Sequence, residues 1–259
     1  MGPVQHKGTP DPNAKRGHRP PGAKVKHARL QEQFQTWQAW SRGLSVEEVF
    51  TRIYDEAKWG HPINGAKFYS GKGSSPEFTA SYEQFVISFI IRNPQIRRIV
   101  DVGCGDFQVS GRILRALRQV GRAVEYLGCD VARNIVDYNL TTNAGPGVTF
   151  IQANVIEDRL PGGDLALVRQ VLQHLTNDDI AKALKNIHAA CRFMIITESL
   201  PTKRALPNID IERGIATRVP LGSGVYLDEP PFTLPVHEML DVPFSEAEFI
   251  RSSVTSRGR

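Results

Sequence analysis

The most constraining feature of the chain is an apolar run that ends in two closely spaced glycines, residues 99–106 (IVDVGCGD). The apolar part is typical of a buried strand, and the glycines allow a tight turn where backbone can approach a ligand closely. A helix after such a turn points its free N–H groups at the same ligand. This strand–turn–helix unit predicts a parallel α/β sheet with a ligand site at the carboxyl ends of its strands.

Apolar segments and helical patterns alternate after this turn, as a parallel sheet requires. Helices are predicted over 110–120, 135–141 and 178–190, with Ser110 and Asn177 as their N-cap candidates. We therefore predict an α/β fold with a doubly wound, mostly parallel sheet covered on both faces. The predicted strands are 98–102, 125–130, 148–153, 164–169 and 193–198.

The pattern divides the chain into four parts. Residues 1–30 carry seven Lys or Arg against one acid and few large apolar residues, which predicts a disordered basic tail. Residues 31–95 predict a helical cap, and residues 96–200 form the ligand-binding core. Residues 201–259 predict substrate-side loops and the C-terminal part of the sheet, with 224–228 (GVYLD) as the one plausible strand before residue 245.

Within the helical cap, residues 31–42 are amphipathic, with Phe34 and two tryptophans near one stripe. Ser45 and Glu48 form a capping-box pattern for a helix that is predicted to run to about Trp59. A further helix is predicted over 79–92 and stops at Asn93-Pro94.

Composition excludes several classes of protein. The three cysteines show no paired or metal-ligand spacing, which favours a reducing compartment and no metal site, although a Mg²⁺ site built from loops stays open. No apolar run reaches the length of a membrane helix, and the polar start carries no secretory signal, so we expect a cytoplasmic protein without a membrane partner. The net charge of +5 comes from the tail, which either binds nucleic acid or an anionic surface or serves as a solubilising terminus.

The order and spacing of acids and glycines over about residues 82–200 resemble class I S-adenosylmethionine-dependent methyltransferases. Asp101-x-Gly103-x-Gly105 resembles the first motif of this family, and Asp130 resembles the acid that holds both ribose hydroxyls. The resemblance implies S-adenosylmethionine as the cofactor, with its methionine end at Asp101 and the glycine turn. A carboxylate at the end of the neighbouring strand suits the ribose, because it accepts two strong hydrogen bonds.

The same resemblance extends to the following strands. Asn154 stands where the family often has an aspartate that contacts the adenine amine, and Val155 would flank the adenine ring. Gln170, in the segment 169–175 (RQVLQHL) after the fourth strand, is implied as a further cofactor contact. Asn154 can equally be only a turn residue. Asp106 lies near the place where a dinucleotide cofactor would have its pyrophosphate. Its carboxylate would repel that group, which argues against a dinucleotide as the ligand.

The loop 69–74 (YSGKGS) resembles a Ser-Gly-x-Gly-Ser segment of bacterial methyltransferases that act on sugars and small metabolites. By that likeness, Ser74, the charge of Lys72 and nearby Trp59 would close over the methionine end of the cofactor. The alternative is a flexible glycine linker.

His174 is the candidate general base, because a histidine with a pKa near neutrality can take the proton of a hydroxyl acceptor. The alternative is a histidine that only packs or caps a helix. Residues 208–214 and Arg218 either bind a polyhydroxylated acceptor or form an exposed charged loop. Residues 229–232 (EPPF) resemble a motif for methylating base amines, but they fall some 60 residues too late.

The sequence thus predicts O-methylation of a small-molecule or glycan hydroxyl. Two other functions stay open. One is methylation of nucleic acid, which would use the basic tail and is not favoured. The other is a non-catalytic partner subunit that keeps the cofactor-binding fold.

Overall fold

The computed structural model describes residues 32, 35–37, 39–62 and 66–257. The predicted basic tail 1–30 and Phe34 of the amphipathic segment lie outside the described residues. No helix among the described residues is both long and apolar enough to cross a membrane. All three cysteines are free.

A seven-stranded sheet forms the centre of the protein. Its strands are Arg98–Val102 (β1), Glu125–Asp130 (β2), Val148–Gln152 (β3), Gly163–Arg169 (β4), Cys191–Pro201 (β5), Val236–Ser245 (β6) and Glu248–Ser256 (β7). The strand order is β3-β2-β1-β4-β5-β7-β6. Strands β1 to β5 are parallel, and β7 runs antiparallel to both β5 and β6. The order reverses between β1 and β4, where the first crossovers leave a crevice at the carboxyl ends of the strands. The predicted parallel α/β core is confirmed.

Helices cover the sheet because each buries one apolar stripe against it. From residue 46 on, the described helices are Val46–Asp55 (α1), Pro76–Arg92 (α2), Gln108–Gln119 (α3), Arg133–Thr142 (α4) and Asn177–Ala190 (α5); single 3₁₀ turns span Lys72–Ser74, Leu172–His174 and Val219–Leu221. In α3, for example, Ile113, Leu114 and Leu117 are buried, whereas Arg115 and Arg118 are exposed. The central strands β1 and β4 are buried on both faces, which explains their almost continuous apolar sequences.

Two predicted N-caps are wrong, and tertiary contacts explain one of them. Helix α3 starts after Phe107, which adopts a left-handed conformation, while Ser110 lies inside the helix and donates its hydroxyl to Asp101. Helix α5 is capped by Thr176, one residue before the predicted Asn177, through a bond from the Asp179 N–H. The Ser45 capping box of α1 is confirmed, but the helix ends at Asp55 rather than near residue 59.

The C-terminal region differs most from the prediction. Residues 224–228 form no strand, although Val225 and Leu227 are buried against the core. The outer hairpin β6–β7 completes the sheet instead. Its sequence hides this role, because β7 buries Ser252, Ser253 and Thr255 and only two apolar residues, Ile250 and Val254. Ser252, for example, is bonded through its hydroxyl to the hydroxyl of Thr197 on β5 at 2.9 Å.

Replacing Ser45 by alanine should lower the free energy of unfolding by about 0.5–2 kcal/mol, because the Glu48 N–H would lose its side-chain acceptor. Urea denaturation measures the change. Ser75→Ala is the matched control, since Ser75 precedes α2 but makes no capping bond through its side chain. Equal losses in the two variants would contradict the capping role of Ser45.

Candidate functional site

A cavity of about 310 Å³ lies over the carboxyl ends of the parallel strands. Helix α1, the loop before α2 and the segment after β4 form its other walls. Nine residues that the sequence singles out as catalytic or cofactor-binding line this cavity: Ser74, Asp101, Gly103, Gly105, Asp130, Asn154, Val155, Gln170 and His174. The fold therefore brings together residues that lie up to 100 positions apart.

The glycine turn after β1 is fixed against β2. The Cys129 carbonyl accepts hydrogen bonds from the N–H groups of Gly103 at 2.7 Å and Cys104 at 3.0 Å. Gly103 and Gly105 have φ angles of +69° and +54°. A Cβ on Gly103 would lie 2.4 Å from Val171 Cγ2, and one on Gly105 would lie 2.4 Å from Ser70 Oγ. Both positions therefore need glycine for conformation and for space.

Asp130 lies buried at the end of β2, beside this turn. Its Oδ2 accepts the Gly105 N–H at 3.0 Å, and its Oδ1 accepts the Ala132 N–H at 3.0 Å. Burial raises the pKa of Asp130 to about 6. Each carboxylate oxygen makes one hydrogen bond to the protein, so each keeps a lone pair for a ligand hydroxyl.

Asp101 presents a second buried carboxylate to the cavity. Its Oδ2 accepts the Ser110 hydroxyl at 2.5 Å and the Tyr126 hydroxyl at 2.7 Å. Burial raises the pKa of Asp101, and these two hydrogen bonds oppose the rise. Both bonds go to Oδ2, so Oδ1 is the oxygen left for a ligand.

Asp106 and Asn154 are engaged in local hydrogen bonds. Asp106 Oδ2 accepts the Ser70 N–H at 3.1 Å, so this carboxylate ties down the loop before α2. Asn154 Oδ1 accepts the Ile156 N–H at 3.1 Å, and its Nδ2 donates to Glu157 at 3.3 Å. Asn154 thus has the bonds of a turn residue while it also lines the cavity.

The loop around residues 70–74 is anchored over the glycine turn and is not a free linker. The Asp106 N–H donates to Ser70 Oγ at 2.9 Å, and Arg169 Nη2 donates to the Gly73 carbonyl at 2.7 Å. The Ser74 hydroxyl donates back to the Ser70 carbonyl at 3.2 Å. Lys72 does not line the cavity, contrary to the expected charge there, because its Nζ lies over the rings of two phenylalanines outside it.

His174 is buried in the cavity wall, and its hydrogen bonds define its tautomer. The Ser199 N–H donates to Gln173 Oε1, so the Gln173 amide nitrogen faces His174 Nε2 at 3.3 Å and donates to it. His174 Nδ1 lies 3.0 Å from the Gly214 carbonyl and must carry the proton. Burial lowers the pKa of His174 to about 4, which differs from the near-neutral pKa expected of a base.

An aromatic wall adjoins His174, formed by Phe50, Tyr54 and Trp59. The Trp59 ring lies 5.6 Å from the imidazole and 5.0 Å from the Tyr54 ring. The Tyr54 hydroxyl lies 3.2 Å from Ser70 Oγ, which joins this wall to the loop over the glycine turn. The polar side of the cavity therefore passes directly into an apolar, aromatic side.

Arg218 is buried and makes hydrogen bonds inside the protein. It is therefore neither part of an exposed charged loop nor a residue of the cavity wall. It is 1% exposed and donates to the carbonyls of Ile209 at 2.7 Å and Leu175 at 2.8 Å. These bonds join the 208–218 segment to the turn that carries His174. Its neighbours Ile215 and Thr217 line the cavity.

Sequence reasoning missed Glu198, a buried carboxylate within β5, three residues before the strand ends at Pro201. It accepts the N–H groups of Leu172 at 2.9 Å and Gln173 at 3.1 Å, and so holds the turn before His174. Burial raises the pKa of Glu198 to about 8. The signal was present, since an acid that follows an apolar strand (FMIIT) has to find donors at the sheet edge.

Two other features carry no role in this cavity. Residues 229–232 do not line it, and Glu229 instead forms an ion pair with Arg204. Over the residues that the structure describes, no cluster of three His, Cys, Asp or Glu side chains has the arrangement of a metal site.

Comparison with known proteins identifies the domain at the centre of the chain. Residues 99–193 match the family model described as a methyltransferase domain. The chain contains a class I methyltransferase domain. A search of curated protein sequences finds no significant match.

Solved structures share this fold at low sequence identity. Magnesium protoporphyrin IX methyltransferase from Synechocystis PCC 6803 is 14% identical, with a TM-score of 0.51 over 82% of this chain and 98% of that chain. Human N-acetylserotonin methyltransferase is 13% identical, with a TM-score of 0.50 over 92% and 68%. The CMeT domain of the citrinin polyketide synthase is 13% identical, with a TM-score of 0.50 over 71% of this chain and 54% of that chain.

The methyltransferase uses S-adenosylmethionine as its cofactor, and the cavity fits this molecule by charge. At neutral pH the cofactor carries a sulfonium, an ammonium and a carboxylate. The cavity presents the carboxylates of Asp101, Asp106 and Asp130 and the guanidinium of Arg169. An excess of negative charge in the wall complements an excess of positive charge in the ligand.

Replacing Gly103 by alanine should lower the free energy of unfolding by about 1–3 kcal/mol, because strain at positive φ adds to the collision with Val171. Gly121→Ala is the matched control, since Gly121 has a φ of +72° but no atom within 4 Å of the added Cβ. Urea denaturation compares the two losses. If the collision with Val171 contributes, the double variant Gly103→Ala, Val171→Ala should lose less free energy of unfolding than the two single variants together. An additive or larger loss would contradict the collision.

Proposed function

We propose that this methyltransferase transfers a methyl group to a hydroxyl oxygen of an uncharged small molecule, with His174 as the proton acceptor. The observation that carries the proposal is that His174 lines the cavity beside the aromatic wall, with Nδ1 bonded to the Gly214 carbonyl and with Nε2 as an acceptor. The bound cofactor supplies an electrophilic methyl group on its sulfonium.

The strand register supports the placement of the cofactor. Val102 pairs with Cys129 on one side and with Val168 on the other, so Gly103, Asp130 and Arg169 all lie one residue beyond the same level. Asp130 in turn pairs with Gln152, two residues before Asn154. In this placement adenine lies at Asn154 and Val155, ribose at Asp130, and the methionine end at the glycine turn, Asp101, Ser74 and Gln170.

The acceptor side of the cavity favours an uncharged ring. Its wall consists of the aromatic residues together with Val46, Leu175 and Ile215, and none of the described Lys, Arg, Asp or Glu residues belongs to this part. A charged acceptor would lose its hydration here without gaining a partner. Aromatic rings stack favourably on both hydroxyarenes and the apolar faces of sugars.

A low pKa does not disqualify His174 as the proton acceptor. At neutral pH the imidazole is already unprotonated, so its lone pair is available without a prior step. A hydroxyl that gains a methyl group becomes a strong acid, and even a weak base can then accept its proton. The Gln173 amide fixes the direction of Nε2 and would have to yield this lone pair to the acceptor.

An acceptor panel tests the proposal. Radiolabelled S-adenosylmethionine would be incubated with the protein and one class of acceptor at a time. The classes are simple phenols, methyl glycosides, anilines and nucleic acids. We expect label in the methyl ethers of phenols or glycosides. Label only in anilines would refute the oxygen acceptor, and label only in nucleic acid, weakened by added salt, would favour the alternative function.

Asp130→Ala should weaken cofactor binding by about 1–3 kcal/mol, since two hydroxyl donors would lose a charged acceptor. In the unchanged protein the pKa of about 6 predicts a pH dependence. Binding favours the ionised carboxylate, so affinity should be level above pH 6 and fall by up to tenfold per pH unit below it. Calorimetric titration with S-adenosylhomocysteine from pH 5 to 7 measures this, and Asp130→Asn should remove the dependence. Unchanged affinity in both variants would refute the ribose assignment.

His174→Ala should lower turnover of the best acceptor in the panel by about 10²–10⁴-fold while cofactor affinity changes little. His237→Ala is the control, because His237 is exposed on the edge strand. At saturating cofactor, the pKa of about 4 predicts that turnover stays level from pH 8 to 5 and falls only as the pH approaches 4. Normal turnover in His174→Ala would show that the imidazole only packs.

A further inference from the structure

Among the described residues that line the cavity, Arg169 is the one lysine or arginine. It ends β4, on the side of the glycine turn opposite to Asp130. Its guanidinium donates to the Gly73 carbonyl at 2.7 Å and to Gln170 Oε1 at 3.0 Å. It also lies 5.2 Å from the centre of the Tyr82 ring. These contacts fix its position at the end of the cavity next to the loop 70–74.

The guanidinium is only partly satisfied by these contacts. An arginine can donate five hydrogen bonds, and the two described bonds both go to neutral oxygens. Its Nε is buried without a partner; of the five buried side-chain atoms in this state among the described residues, it alone belongs to a residue of the cavity wall. Such an atom costs free energy unless something else accepts its hydrogen.

Arg169 also lacks a carboxylate partner at close range. None of the ion pairs within 4 Å among the described residues involves it. Burial lowers the pKa of Arg169, and the more distant charges of Glu198 and Asp101 oppose this fall. A buried cation without a partner anion is unfavourable, and an anionic ligand group would relieve it.

We propose that Arg169 binds the α-carboxylate of the methionine end of S-adenosylmethionine, while Asp101 faces its ammonium group. This inference rests on the proposed placement of the cofactor and assigns its amino-acid end to a pair of opposite charges. The zwitterion of an amino acid offers the complementary pair. Planar guanidinium groups suit carboxylates because they can donate two parallel hydrogen bonds.

The binding of two cofactor forms tests the inference without any acceptor. Decarboxylated S-adenosylmethionine keeps the sulfonium, the ammonium and the nucleoside and lacks only the carboxylate. Isothermal titration calorimetry would measure both ligands with the unchanged protein. We expect S-adenosylmethionine to bind about 10- to 100-fold more tightly than the decarboxylated form.

Arg169→Gln should abolish this ratio, so that both ligands bind with similar affinity. A lost bond to Gly73 would weaken both ligands equally, whereas the ratio reports the carboxylate contact alone. Arg112→Gln is the matched control. Arg112 also holds this loop, through the Ser74 carbonyl at 3.3 Å, but does not line the cavity, so its variant should keep the ratio. Arg169→Lys keeps the charge without the fork and should retain part of the ratio.

Two results would overturn the inference. One is an unchanged protein that binds both ligands equally, and the other is an Arg169→Gln or Arg169→Lys variant that keeps the full ratio. The first result alone is decisive if neither variant folds. Failure of the unchanged protein to bind either ligand would instead refute the placement of the cofactor, so the two failures are distinguishable.

Discussion

The site depends on buried carboxylates that hold the backbone N–H groups of the loops at the sheet edge. Asp130 accepts from Gly105 and Ala132, and Glu198 accepts from Leu172 and Gln173. Asp106 performs the same role for Ser70. A loop at the end of a parallel strand has no ladder partner for its N–H groups, so each needs another acceptor. A carboxylate supplies that acceptor with charge assistance and thereby fixes the loop.

This arrangement divides the cavity into regions of different chemistry. The acids and Arg169 lie at the carboxyl ends of the central strands, where a charged cofactor can compensate their burial. The aromatic wall and His174 lie on the side formed by the N-terminal helix and the 208–218 segment. Arg218 joins that segment to the turn bearing His174, and the Gly214 carbonyl accepts a hydrogen bond from His174 Nδ1. The surroundings of His174 are therefore set in part by chain that lies outside the methyltransferase domain matched over residues 99–193.

The core of the fold could be predicted because its periodicity is local. A buried parallel strand needs an apolar run, and the helices between strands show their own stripes. The strands of the outer hairpin could not be located within residues 201–259, because β7 packs polar residues such as Ser252 against the polar Thr197. The cap of α3 was missed for a related reason: the Ser110 hydroxyl is used by Asp101 and not by its own helix.

The sequence by itself determined the parallel sheet, the glycine turn and nine of the residues that meet at the cavity. Those features follow from strand periodicity and from the rule that parallel strands end at one edge. Only the tertiary structure decided what each side chain can do there. Burial lowers the pKa of His174 to about 4. Arg218 is enclosed in the interior, and Arg169 keeps a buried N–H group without a partner at the cavity. Desolvation and hydrogen-bond partners depend on neighbours distant in sequence, so no local pattern could reveal them.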